Sequence, residues 1–325
     1  MNDLETYSRR YLDRWYARAS VRQETHYRAE PGFDLEAMVN PRYVEFLDCP
    51  EVVALGRDAR HNLMMQFCYG FLEEVARGES EVVNRICIEL SGQEGRHLLP
   101  HLGQQALMTV AIDETFHAFL ARDAILSLES LTGIAMCRPL GPGLLATIFD
   151  EVLGACPEDL RPFVKLLAVS LIENGVTDEL VELTRAGERA SPFYEFNREH
   201  LIDEARHRTF FRVALVEAFR RLGPAERACV AEILPRYLDS YFDQLLRGDA
   251  DQARQRLLGI GLSDVAVQAL LDRDRSAPGE RRQHPTWANM RRCLAATGLL
   301  DDAAISQKLL ETGWLAEDRP LDAAA

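Results

Sequence analysis

Residues 200–207 read HLIDEARH, and residues 113–117 read DETFH. Both hold Asp-Glu-x-x-His. On an α-helix a Glu and a His three positions apart share one face, one turn apart. His200 lies four residues before Glu204, so His200, Glu204 and His207 form a single stripe. One Glu-x-x-His is a weak signal, because any acidic helix produces it by chance. Two, each preceded by aspartate and each inside a long helical pattern, decide the fold. They predict an all-α bundle whose facing helices turn carboxylates and imidazoles inward.

A bundle of that kind needs one further carboxylate from each of two other helices. Glu173 ends the run VKLLAVSLIE and shares a face with Leu166, Val169 and Ser170. Burying a carboxylate there is costly unless it is paired or metal-bound. On the remaining helix Glu79 and Glu81 compete. Glu79 shares the face of Val75, Ala76, Val82, Val83 and Ile86 and points inward. Glu81 lies with Arg77, Arg85 and Ile88, toward solvent or an ion-pair partner.

Carboxylates and imidazoles without thiolates suit non-haem iron or manganese rather than structural zinc or an iron–sulfur cluster. The expected partition gives Glu79, Glu114 and His117 to one ion. The other takes Glu173, His200, Glu204 and His207, with Glu114 or Glu204 bridging. Asp113 and Asp203 read as acceptors from the ligand imidazoles, which fixes their tautomers. Arg206 balances charge beside one of them. His26, His61, His97, His101 and His284 have no such company and read as structural or solvent-facing. Phe193, Tyr194 and Phe196 read as core, while Phe116 and Phe211 fit a cavity wall or packing equally well.

Working outward, helices are expected over about 59–90 (with a weak point at Gly78), 103–127, 162–174 and 192–222. Gly175 reads as the stop of the third and Gly223-Pro224 as the stop of the fourth. Residues 1–58 read as an N-terminal helix and loop packing on the bundle, and 59–250 as the metal-binding bundle. Residues 251–325 read as a C-terminal helical extension, a possible lid or interface. The turn-rich joint SAPGERRQHP marks its last part as a candidate appendage.

Ala, Leu, Glu and Arg dominate a chain of 325 residues, 47% of them hydrophobic, which is globular and helix-prone. The net charge of −14 repels phosphate backbones, so no nucleic-acid partner is expected. The seven cysteines include no CxxC pair and suit a reducing compartment. The first twenty residues lack an apolar signal region, and no apolar run is long enough for a bilayer. A cytoplasmic protein without membrane contact is the expectation.

With these residues in hand, the stretch from Arg60 to Leu222 resembles the diiron arylamine N-oxygenases, the p-aminobenzoate N-oxygenase family of antibiotic pathways. The resemblance rests on the order Glu79, Glu114-x-x-His117, Glu173, His200-x-x-x-Glu204-x-x-His207. The third histidine, His200, is its specific part. The 35-residue step from Glu79 to Glu114 and the 27-residue step from Glu173 to His200 also match the family's, which supports Glu79 over Glu81. The resemblance implies a ferritin-like fold, a homodimer, and two iron ions that capture O2 as a peroxo species. It implies stepwise oxidation of an aromatic amine to hydroxylamine, nitroso or nitro products. Electrons would come from a separate donor, since the chain has neither a Gly-rich dinucleotide fingerprint nor an iron–sulfur motif. The ligand types accommodate a manganese–iron pair as well. No arginine reads as a carboxylate clamp, although Arg122 lies on the first Glu-x-x-His helix. The rivals are a diiron hydroxylase or desaturase with another small or carrier-bound substrate, a ferroxidase-like iron protein, and a helical interaction protein.

Overall fold

In the computed structural model, which describes residues 3–24, 26–137, 143–185, 191–247, 250–275 and 284–316, no strand occurs among the described residues. The helices in chain order are α1 (Asp3–Arg18), α2 (Pro50–Ala54), α3 (Arg57–Arg77), α4 (Asn84–Ser91) and α5 (His101–Thr132). They continue with α6 (Leu144–Gly154), α7 (Arg161–Arg185), α8 (Pro192–Arg221) and α9 (Pro224–Arg247). The last four are α10 (Ala250–Gly259), α11 (Asp264–Arg275), α12 (Pro285–Ala296) and α13 (Ala303–Glu311).

Local chemistry sets the ends of the two signature helices. Ser191 accepts from the Tyr194 N–H and Pro192 occupies the first turn, so α8 starts there. Gly133, at φ 70°, closes α5 in the left-handed conformation that glycine adopts without strain.

Four long segments make an all-α, ferritin-like bundle of two antiparallel pairs. One pair is α3 and α4 with α5; the other is α7 with α8, and α5 meets α8 across the middle. The antiparallel sense of α7 and α8 shows in their bonds: Ser170 reaches the Phe211 carbonyl and Asn174 the Arg208 carbonyl. A π-helical turn, Gly78–Val83, joins α3 to α4 without ending the rod. The weak point read at Gly78 is therefore a widened turn, a form that often marks functional positions in helices.

Gly175 does not stop α7, which continues to Arg185. Its backbone is instead where α12 comes close. A Cβ at Gly175 would sit 3.0 Å from Thr286 Cγ2 and 3.1 Å from Met290 Cε. The Asn289 amide donates to the Gly175 carbonyl at 3.3 Å. Close helix approach, not capping, explains this glycine.

The buried apolar side chains fall into two clusters. One holds Val82, Ile86, Ala106, Val110, Leu166, Val169, Phe210 and Phe211, together with Trp287, Met290 and Trp314 from the C-terminal helices. The other holds Leu63, Leu72, Ala76, Ala118, Ala121, Phe193 and Phe196, with Leu257 and Leu270. Along α5, Asp113, Glu114 and His117 fall between them. Along α8, His200 to His207 do the same. The bundle thus carries one buried polar layer between two apolar ones. The N-terminal α1 lies across α5 and α8, with Tyr11 against Phe210 at 5.1 Å between ring centroids. The helices at 285–311 pack on α7 and α9. Most of the turn-rich joint, residues 276–283, lies outside the described residues.

Candidate metal centre

The polar layer gathers Glu79, Glu114, His117, Glu173, His200, Glu204 and His207. Their ligand atoms form two groups, each within 4.8 Å: Glu79, Glu114, His117, His200 and Glu204; and Glu114, Glu173, Glu204 and His207. Glu114 and Glu204 belong to both. The partition read from sequence differs in two places: His200 sits with Glu79 and His117 rather than with Glu173, and Glu114 and Glu204 are both shared rather than one of them. The reason for the first is the rise along the helix axis. His200 lies almost two turns before His207 on α8, which carries it to the opposite end of the layer.

The distances follow from that arrangement. His200 Nε2 is 3.1 Å from Glu204 Oε1 and 3.4 Å from Glu79 Oε1. His117 Nδ1 is 3.0 Å from Glu114 Oε2, and His207 Nδ1 is 2.8 Å from Glu114 Oε1. The far nitrogens cross between helices. His117 Nε2 meets Asp203 Oδ2 at 3.2 Å, and His207 Nε2 meets Asp113 Oδ2 at 3.1 Å. With each Nε2–H given to an aspartate, Nδ1 is left as a lone-pair donor facing the carboxylates. Arg206 Nη2 lies 2.7 Å from both Asp113 Oδ2 and Asp203 Oδ1, so it balances both aspartates rather than one. Glu81 turns away, pairing with Arg77 at 3.2 Å and accepting from the Gly143 N–H.

Whether the cluster suits metal ions can be tested on its own atoms. Glu79 Oε2, Glu114 Oε1, Glu204 Oε1, His200 Nε2 and His207 Nδ1 are buried without an aligned hydrogen-bond partner. Such atoms cost about 1–3 kcal/mol each if left unsatisfied. They converge on one another, which suits cations held between them. Protonation says the same. Burial, and then the Glu114 charge, push the Glu79 carboxyl well above the usual range; burial, and then the Glu204 charge, do so for Glu173. Burial opposes ionisation of Glu114, but the His207 charge together with hydrogen bonds from Glu79 and His117 outweighs it and holds that carboxyl at about 2. Burial lowers His117, yet hydrogen bonds to Asp203 and Glu114 raise it to about 10. Protons on Glu79, Glu173, His117 and His207 hold the place that cations would take.

A model of the family described as P-aminobenzoate N-oxygenase AurF matches residues 100–293, more than half of the chain. The match takes in both Asp-Glu-x-x-His helices, Glu173 and His200. The chain belongs to the p-aminobenzoate N-oxygenase family. Enzymes of this family are diiron monooxygenases, and the buried carboxylate–imidazole cluster is compatible with that centre. Among curated proteins none matches the chain. The family match starts after Glu79 and reaches further toward the C-terminus than the resemblance read from sequence, through α9 and into α12.

Three residues around the centre escaped the sequence reading. Trp15 Nε1 donates to Asp113 Oδ1 at 2.8 Å, and the Ser20 main-chain N–H and hydroxyl both reach Asp203. Tyr11 lies under the Arg206 guanidinium, 5.8 Å from ring centre to Cζ. Spacing marks Leu4, Ser8, Tyr11, Leu12 and Trp15 as one face of α1, but nothing local says what that face meets. The other histidines have ordinary roles: His26 and His61 pair with Glu199 and Glu36, and His284 caps α12. Phe116 packs edge-on against His26 at 4.7 Å, and Phe211 is buried beside Phe210. Arg122 is exposed and clamps nothing in this layer.

Proposed function

We propose that this chain loads two iron ions in the polar layer and N-oxygenates a small aromatic amine at the expense of O2, in secondary metabolism. The observation that carries the reading is the ligand set itself. Four carboxylates and three imidazoles, without a thiolate, converge in one water-poor layer of a chain from this family. Oxygen and imidazole donors of this kind favour iron, with manganese as the competing occupant.

Glu79, Glu114, His117, His200 and Glu204 would hold one ion, and Glu114, Glu173, Glu204 and His207 the other. Bound there, the ions supply activation of dioxygen. The chain's own residues do the rest. Asp113 and Asp203 fix the imidazole tautomers, Arg206 neutralises both aspartates, and the apolar layers on either side exclude bulk water. No helix among the described residues is long and apolar enough to cross a membrane. The free cysteines fit the reducing cytoplasm. Reducing equivalents come from an external donor.

A second copy of the chain is the proposed partner. On α5 the exposed side chains Met108, Ile112, Phe119 and Leu126 repeat at coiled-coil spacing, an apolar stripe that suits pairing with its own two-fold mate.

The test is product analysis. Iron-loaded protein is given a reductant, O2 and a panel of arylamines, and products are followed by mass. Hydroxylamine, nitroso or nitro products are expected. Oxidation at carbon alone, with the amines untouched, would move the chain to the hydroxylase reading.

A further inference from the structure

The two aspartates behind the histidines end differently. Asp203 is backed by Ser20, through its main-chain N–H and its hydroxyl. Asp113 is backed by the indole of Trp15, at 2.8 Å. Serine cannot be oxidised and re-reduced under mild conditions, whereas an indole can pass an electron. Trp15 is itself buried, and its ring meets that of Tyr16 edge-on at 5.3 Å. Tyr16 is 56% exposed. The Arg22 guanidinium lies 5.4 Å from both rings. An unbroken run of contacts therefore leads from the surface through Tyr16, Trp15 and Asp113 to His207.

The surface at its outer end is charged against the rest of the chain. Residues 9–22 hold Arg9, Arg10, Arg14, Arg18 and Arg22 against a single acid, Asp13, in a protein of net charge −14. All five arginines are exposed. Arg9, seven residues before Tyr16, shares its exposed face of α1, and Arg22 lies over its ring; an exposed ring flanked by arginines in this basic segment suits an acidic partner, steered in by opposite charge.

Resting on the function proposed above, we propose that Tyr16, Trp15 and Asp113 form the electron route to the metal centre. The basic surface at Tyr16, with Arg9 and Arg22, is then the docking surface for an acidic one-electron carrier protein. The balance is simple. Placing one oxygen atom of O2 on an amine nitrogen and the other in water takes two electrons and two protons from outside. Two carrier molecules are each oxidised by one electron, and no bond along the route is made or broken. Trp15 and Asp113 are positioning residues for this transfer and touch no substrate.

A merely structural Trp15 would anchor Asp113 and nothing more, so the test must separate anchoring from conduction. The iron-loaded full chain is reduced anaerobically by a reduced acidic [2Fe–2S] ferredoxin while bleaching of the ferric absorption is followed. In parallel, iron content, resting spectrum and hydrogen-peroxide-driven amine oxidation, which needs no donor, are measured. Reduction of the wild type is expected to slow as salt rises. The Arg9→Glu variant is expected to lose several-fold in rate at low salt. The surface change Tyr16→Ala is expected to slow reduction several-fold, with iron content, spectrum and peroxide-driven activity as in the wild type, and Trp15→Phe is expected to slow it several-fold per bound iron. Unchanged reduction rates in both ring variants would overturn the route. So would Trp15→Phe slowing only together with iron loss while Tyr16→Ala has no effect. A salt-independent rate, or no reduction of the wild type by the ferredoxin, would overturn the docking surface. A wild-type chain that takes up no iron would sink the underlying function, and the iron analysis identifies that case separately.

Discussion

Asp113 and Asp203 each serve the histidine of the other's helix, and Arg206 holds both. The three side chains tie α5 to α8 behind the carboxylate–imidazole layer. In Asp113→Asn an amide faces His207 Nε2, so the proton can shift to Nδ1 and remove the donor lone pair. Iron titration is expected to show an affinity loss of about 10–100-fold. Arg206→Met removes the guanidinium the two buried aspartates share while His117 and His207 stay against them, and thermal or denaturant melts of the metal-free chain are expected to show a loss of about 1–3 kcal/mol. Metal uptake must also displace protons. His117 holds its proton up to about 10 and His207 is raised as well; Glu79 and Glu173 are held protonated above the usual range. Iron affinity should therefore rise with pH through the neutral range, with up to four protons released per chain loaded, one from each of these residues, measurable by calorimetry in buffers of different ionisation heat. Part of the polar layer was legible in the sequence because helical spacing alone puts Glu114 beside His117 and Glu204 beside His207. Trp15 and Ser20 were not, because they reach the centre across 98 and 183 residues of chain.

At the scale of elements, the bundle follows from where each helix changes character. α5 and α8 are apolar toward both ends of their buried faces and charged in the middle, and packing aligns those middles into one layer. The π-helical turn at Gly78–Val83 widens the first rod where Glu79 enters that layer, while Glu81 goes to Arg77. The face of Glu79 was legible from its apolar neighbours. The widening was not, because it depends on what α5 and α6 press against it. Gly175 shows the same limit: a glycine after an apolar run resembles a helix stop, yet here it admits α12. Gly175→Leu drives a branched side chain toward Thr286 and Met290. Overpacking of this kind is expected to cost about 1–3 kcal/mol, read from the chemical denaturation midpoint.

At the scale of the whole molecule, an acidic surface carries two local exceptions, the apolar stripe of α5 and the arginine-rich segment 9–22. Phe119→Asp and Leu126→Asp place charge in the stripe. Light scattering coupled to size exclusion is expected to show the wild type at twice the chain mass and these variants at the chain mass. The fold class was legible because two matched signatures on long helices admit few architectures. How the N-terminal helix seals the centre was not, since it depends on contacts formed only after folding. The most direct test of the account is metal stoichiometry. The chain is loaded anaerobically with ferrous iron, desalted, analysed for iron, and then exposed to O2 in a spectrophotometer. Two irons per chain and a transient visible absorption are expected, both lost in Glu114→Ala and His207→Ala. A wild-type protein that retains no iron and shows no absorption change would contradict it.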